Sequence, residues 1–388
     1  MVSRISKTII DQLLDLNIEY KLDNRVLPHL LPLFKHFEKT RKQSTRKAGI
    51  KITEKSVNID SVVSKLSYSK YTDKEVSTEI SKFDKTGLLI EVFYNDKKTK
   101  LHIFGYTNQD IEKYKDKLLE TFIFATQLSH SSVSLNSVII YLTNLEKKVD
   151  NIEKKQRLLS TKEVNTGVSF AVGNEKDIIL WRKEEVVKVM LHELIHAFDW
   201  DFNDNNKIFG YFSKKLGITK KVLLNEAYTE IWACITNCYI CSLSESSSEE
   251  RFCRWVHYLE LETLYSVWQT YKIIYMTNLH LSNSQKVTNC DNFLQITDRS
   301  TNVFPYYLLK SCVLFNISEW TCFCKKNTDF IKYKHSDTND KKVAEFFLDS
   351  LSSEDYYSLC NKIKKAFEKN SKTKKIYKTM RMTALELV

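Results

Sequence analysis

Turn-forming residues are scarce in this chain: 388 residues hold only 7 glycines and 3 prolines. That shortage predicts an α+β, mainly helical fold with a modest sheet. No apolar run reaches the length of about 20 residues that a membrane-spanning helix needs, so no membrane partner is expected. Ile9 and Ile10 are soon interrupted by Asp11 and Asp15, which is not the layout of a secretory signal. All nine cysteines fall between Cys234 and Cys360, and an odd number suits a reducing, intracellular compartment without structural disulfides. Cys234, Cys238 and Cys241 follow helical spacing and read as buried thiols, and Cys322-Phe323-Cys324 reads as a strand-like alternation.

The net charge of +11 is unevenly spread. Residues 1–100 carry 20 basic and 13 acidic side chains, and residues 361–388 carry 9 and 2, so the middle is close to neutral. The basic runs at 39–47 and 362–378 would suit nucleic acid or an acidic partner, although no nucleic-acid motif accompanies them. A solvated, lysine-rich surface accounts for the same runs. The length allows several subdomains. We divide it into a basic, mostly helical region at 1–86 and an α/β upper part at 87–205. A helical lower part at 206–360 and a basic tail at 361–388 follow.

Periodicity places helices at 3–18 and 26–47, loose polar chain at 42–60, and a short helix or linker at 72–84. A hairpin follows, with strands at 88–94 and 100–104 around Asn95-Asp96. Asn108 or Asp110 caps a helix to about Ser129. Strands at 137–142, 168–172 and 178–181 come next, the last two joined by a turn at Gly173-Asn174. Beyond them the chain reads as almost all helix, with an acidic, serine-rich loop at 242–250.

Chemistry concentrates at Leu191-His192-Glu193-Leu194-Ile195-His196, an HExxH sequence. Histidines at i and i+4 share a helix face, so both rings can reach one ion, and the intervening Glu193 can work on a water beside it. Val186, Val187, Val189, Met190, Leu191, Leu194, Ile195 and Phe198 make this helix apolar on most sides, hence buried. Glu184 and Glu185 are expected in its first turn, favouring the helix dipole. Two histidines and a glutamate inside a buried helix need a partner, and zinc would satisfy them. Thirty residues on, Asn225-Glu226-Ala227-Tyr228-Thr229-Glu230 places two acids at i and i+4 on a second apolar segment, 222–241.

HExxH followed by NExxxE resembles the gluzincins, the thermolysin-like zinc metallopeptidases. The metzincin pattern is absent, because Asp199 and Phe202 stand where its glycine and third histidine would be. By this resemblance Zn2+ is the cofactor, and Glu226 is the third ligand with His192 and His196. Glu230 hydrogen-bonds the ring of His192, and Glu193 is the general base for peptide-bond hydrolysis. It also implies a zincin-like fold: a small mixed sheet above the active helix, a helical lower subdomain, and a cleft between them.

The oxyanion donor in such enzymes is a tyrosine or histidine of the lower half. Tyr306 or Tyr307, just after Pro305, is the candidate, and packing alone is the alternative for either. His257 and His280 are weaker competitors. The edge strand that pairs with a peptide is expected at 168–171, with Gly167 allowing close approach. The stretches Asp177 to Glu185, Asn165 to Val168, Asn225 to Trp232 and Val303 to Lys310 further resemble uncharacterised, zinc-metallopeptidase-like proteins of large DNA viruses. That resemblance covers roughly residues 88–320 and implies a host cytoplasm or virion setting. Three alternatives stay open: an inactive zinc-binding virion or host-interaction protein, a nucleic-acid-associated protein acting through its basic ends, and a hydrolase of a non-peptide amide.

Overall fold

Six strands of the first half build one mixed sheet. They are β1 Ile50–Asn58, β2 Thr86–Tyr94, β3 Lys97–Phe104, β4 Leu135–Tyr141, β5 Gly167–Val172 and β6 Glu175–Leu180, in the order β1-β2-β3-β4-β6-β5. In this computed structural model the described residues are 2–387 without 47–48, 69–71, 73, 130–134, 154–158, 173–174, 203–204, 278–300 and 371–373. The expected turn at Gly173-Asn174 and His280 therefore lie outside the described residues. The β1–β2, β2–β3 and β5–β6 pairs are antiparallel, and β3–β4 and β4–β6 are parallel. Asn95 and Asp96 both have positive φ (49° and 59°), which matches the right-handed twist of the β2–β3 hairpin they close.

Alternation decides which core each strand residue joins. Ile178 and Leu180 face the main core, and Ile179 and Trp181 face a smaller one formed by Ile59, Val62, Leu66, Val76, Ile80 and Phe83. The main core side is covered by helices α4 Asn108–Ser129 and α6 Val186–Ala197. The first helices are α1 Arg4–Leu14, α2 Leu27–Arg46, α3 Lys74–Ile80 and the short α5 Thr161–Val164. Below α6 come α7 Asn205–Leu216, α8 Leu224–Ser242 and α9 Ser248–Thr277. A π-helical turn at Phe304–Leu309 then runs into α10 Lys310–Phe315. The remaining helices are α11 Ile317–Asn327, α12 Asp337–Leu351, α13 Glu354–Lys369 and α14 Lys375–Lys378.

Four expectations are corrected. Residues 42–60 are not loose: α2 runs on to Arg46, and β1 pairs with β2 from Ile50↔Tyr94 to Asn58↔Thr86. Its side chains are mostly exposed, so backbone pairing holds it rather than an apolar pattern. Cys322-Phe323-Cys324 is helical, because Ile317, Trp320, Thr321 and Cys324 bury one face of α11. Glu184 and Glu185 do not sit in the first turn of α6; Glu185 precedes it with φ 59°, and both carboxylates are buried.

The fourth correction concerns the end of the basic tail, since Lys362, Lys364, Lys365 and Lys369 stay exposed on α13 as a solvated surface would have them. Ile376, Tyr377 and all of 379–387 are buried, and the segment passes beneath α6 as a strap. Its backbone is met by side chains from several elements. Glu185 Oε1 accepts from the N–H groups of Met382 and Thr383, both at 2.7 Å. Tyr307 donates to Met380 O at 2.8 Å, Gln269 to Arg381 O at 2.7 Å and Asn237 to Leu385 O at 3.1 Å. A buried extended segment needs such partners for its polar backbone.

Candidate metal centre

Helices α6 and α8 pack so that the His192/His196 face of one meets the Glu226/Glu230 face of the other. His192 Nε2 and His196 Nε2 lie 3.3 Å apart. Glu226 Oε2 stands 3.3 Å from the first and 3.4 Å from the second. On the outer side of each ring, Nδ1 has its own acid: Glu230 Oε2 at 2.9 Å from His192, and Asp201 Oδ2 at 2.8 Å from His196. A carboxylate only accepts, so each Nδ1 carries a proton and each Nε2 is turned toward Glu226. His192, His196 and Glu226 thus form a group that could hold a metal ion.

Electrostatics supports the same arrangement. Burial alone would lower the pKa of both histidines, but the acids outweigh it. His192 is raised by Glu226 and Glu230, and His196 is raised further by Asp201 and Glu226. Burial would push Glu226 up, yet the two rings hold it well below the usual carboxylate range. The opposed shifts record the attraction between the two rings and the acids that face them.

Glu193 is buried beside this triangle, against the first residue of β5. A Cβ on Gly167 would stand 3.1 Å from Glu193 Oε1, and Ser169 of the same strand hydrogen-bonds the carboxyl group. Burial pushes the Glu193 pKa up against the pull of His192 and His196. A carboxyl group displaced upward in this way is suited to taking and returning a proton.

The two candidate tyrosines diverge. Tyr306 donates to Glu226 Oε2 at 2.8 Å, and its ring centre lies 5.8 Å from that of His192. Burial and then Glu226 raise its pKa well above the ordinary value, so it stays a hydrogen-bond donor. Tyr307 is fully buried with its hydroxyl on Met380 O, away from the triangle. His257 stands half exposed on α9, near Glu260. A small cavity between β5 and the site is lined by Thr166, Gly167, Val189, His192, Glu193 and Tyr306, among others.

Sequence reasoning missed three residues here. Asp201 follows His196 by five positions, and reaching the ring depends on the reversal at Asp199, where φ is 54°. Lys188 contacts Glu230 Oε2 at 2.6 Å; its only signal was a lysine four residues before His192 in an otherwise apolar helix. Lys310, 3.7 Å from Glu230 Oε1, had no local signal.

Compared with known proteins, the chain is 27% identical to an uncharacterized protein of Acanthamoeba polyphaga mimivirus over 161 residues. The match spans 40% of this chain and 40% of that protein. No protein-family profile matches the chain. No solved structure matches it either. Among the described residues, no helix is long and apolar enough to cross a membrane.

Proposed function

We propose that this protein is a zinc-dependent metallopeptidase with a zincin-like arrangement, hydrolysing peptide bonds in an extended substrate. One observation carries the reading: three inward-facing donor atoms 3.3–3.4 Å apart with a buried, unligated acid beside them. A tetrahedral ion bound at about 2.0–2.1 Å separates its ligands by about 3.3–3.4 Å, which favours zinc for a two-nitrogen, one-oxygen set. When bound, the ion supplies Lewis acidity to a water molecule and to the scissile carbonyl.

His192, His196 and Glu226 would hold that ion, with Glu230 and Asp201 fixing the two rings. Glu193 receives a proton from the attacking water and returns it to the leaving nitrogen. Ser169 orients its carboxyl group for that exchange. Tyr306, already a donor at the edge of the triangle, hydrogen-bonds the carbonyl oxygen as negative charge grows on it. β5 is the outer strand of the sheet beside α6, and an extended peptide can pair with it past Gly167. The eight described cysteines are all free thiols, which suits a reducing interior. With the mimivirus resemblance, the cytoplasm of an infected cell or a virion is the proposed setting.

The test is mass spectrometry of new peptide termini in a cell lysate treated with wild-type protein or with Glu193→Gln. New termini with wild type alone are the expected result. Identical termini in both samples would remove Glu193 as the base. A protein that takes up no zinc from an excess would remove the metallopeptidase reading altogether.

A further inference from the structure

We infer that Lys188 is a positioning residue of the metal centre, clamping Glu230 so that its Oε2 receives the Nδ1 proton of His192. The inference rests on reading His192, His196 and Glu226 as metal ligands.

Lys188 stands one turn before His192 on α6, and Glu230 one turn after Glu226 on α8, so the facing helices meet in successive rungs. The Lys188 ammonium lies 2.5 Å from Oε1 and 2.6 Å from Oε2 of Glu230, gripping both oxygens. The second oxygen also accepts from His192 Nδ1 at 2.9 Å. Glu230 is wholly buried and Lys188 nearly so, hence water cannot substitute for either partner. From behind, Met382 of the strap packs its Sδ 3.7 Å from Lys188 Nζ and accepts from Lys310 through its carbonyl at 2.5 Å.

Glu230 therefore has a choice of cations. Lys310 stands on its Oε1 side, 3.7 Å away and turned from His192. Without Lys188, Lys310 is the nearest ammonium, and the carboxylate swings toward it and off the ring. His192 would then lose the partner that aims Nε2 at Glu226. His196 has its own Nδ1 partner in Asp201 and serves as the internal control.

The test reads the slowly exchanging, downfield Nδ1 protons of His192 and His196 by NMR, in metal-free and zinc-loaded full-length protein. Wild type is expected to show both. In Lys188→Met the His192 proton should exchange faster or vanish, with that of His196 unchanged, and zinc affinity should fall by up to about 10-fold. Lys188→Arg, which keeps charge and two donors, should retain most of both signals. A Lys188→Met protein of lower stability, but with the His192 proton and zinc affinity of wild type, would overturn the inference and leave Lys188 purely structural.

Should Lys188→Met fail to fold, Lys188→Met/Glu230→Gln removes both buried charges together. Wild-type zinc affinity and an unchanged His192 proton in that variant would equally overturn it. Wild type showing both protons but taking up no zinc would instead refute the metal reading, with the proton in the variants still deciding the clamp.

Discussion

Around His192 and His196, three donor atoms converge to within 3.4 Å of one another, and the roles of individual residues separate by what each loses on mutation. Glu226→Ala should reduce zinc affinity by about 100-fold or more, and Glu230→Ala by about 10-fold, read by competition with a chelator. Glu193→Gln should keep one zinc per chain and lose hydrolysis by at least ~100-fold in kcat. Tyr306→Phe should lower kcat by about 100-fold at unchanged KM, whereas Tyr307→Phe should leave kcat alone and lower stability, because its hydroxyl serves Met380. The histidines and the two acids were legible because spacing by four on a helix puts side chains on one face. Choosing between Tyr306 and Tyr307 was not, since neighbours in a π-helical turn point apart and only the packed lower half sets its rotation.

Among the elements, α6 depends on contacts at its start and along its middle. At its start, Glu185 holds Lys147 Nζ at 2.9 Å together with two N–H groups of the strap. Glu185→Ala would leave a buried ammonium and two donors unpaired, and a loss of about 3–5 kcal/mol is expected from urea unfolding. Against its middle, Gly167 of β5 has no room: a Cβ there would lie 2.6 Å from Leu180 Cδ2 and 3.0 Å from Val189 Cγ1. The strap was unreadable because the run before it, 362–378, is lysine-rich and suggests a solvated end, although Lys272 donates to Thr379 O and Gln269 to Arg381 O from inside the core. β1 was missed for the opposite reason, since pairing with β2 stabilises it without an apolar stripe.

At the scale of the whole molecule, one apolar core extends from Ile9 to Leu387, joining sheet, α6 and strap. Zinc binding to the folded state alone should raise the unfolding temperature with zinc concentration, adding about 4 kcal/mol of stability at a thousandfold excess over Kd. Acid sensitivity has a separate source in Glu38, which joins α2 to α8 and α9. Burial would raise its pKa, but hydrogen bonds from Arg251, Tyr239 and Arg41 bring it down to about 2. A carboxyl group depressed on folding stabilises fully above its unfolded pKa, and that contribution is lost as pH falls from about 5 toward 2. Wild type should lose about 1–3 kcal/mol more than Glu38→Gln over this interval, compared by urea midpoints. By itself the sequence determined the mainly helical α+β class, the His192/His196 face of α6 and the Glu226/Glu230 face of α8, because helical periodicity is a local property that four-residue spacing records. Only the tertiary structure decided that Asp201 meets His196 and Lys188 meets Glu230, that Tyr306 rather than Tyr307 reaches Glu226, and that the segment 379–387 is buried. Those outcomes follow from chain reversals and long-range packing, which place residues distant in sequence against one another.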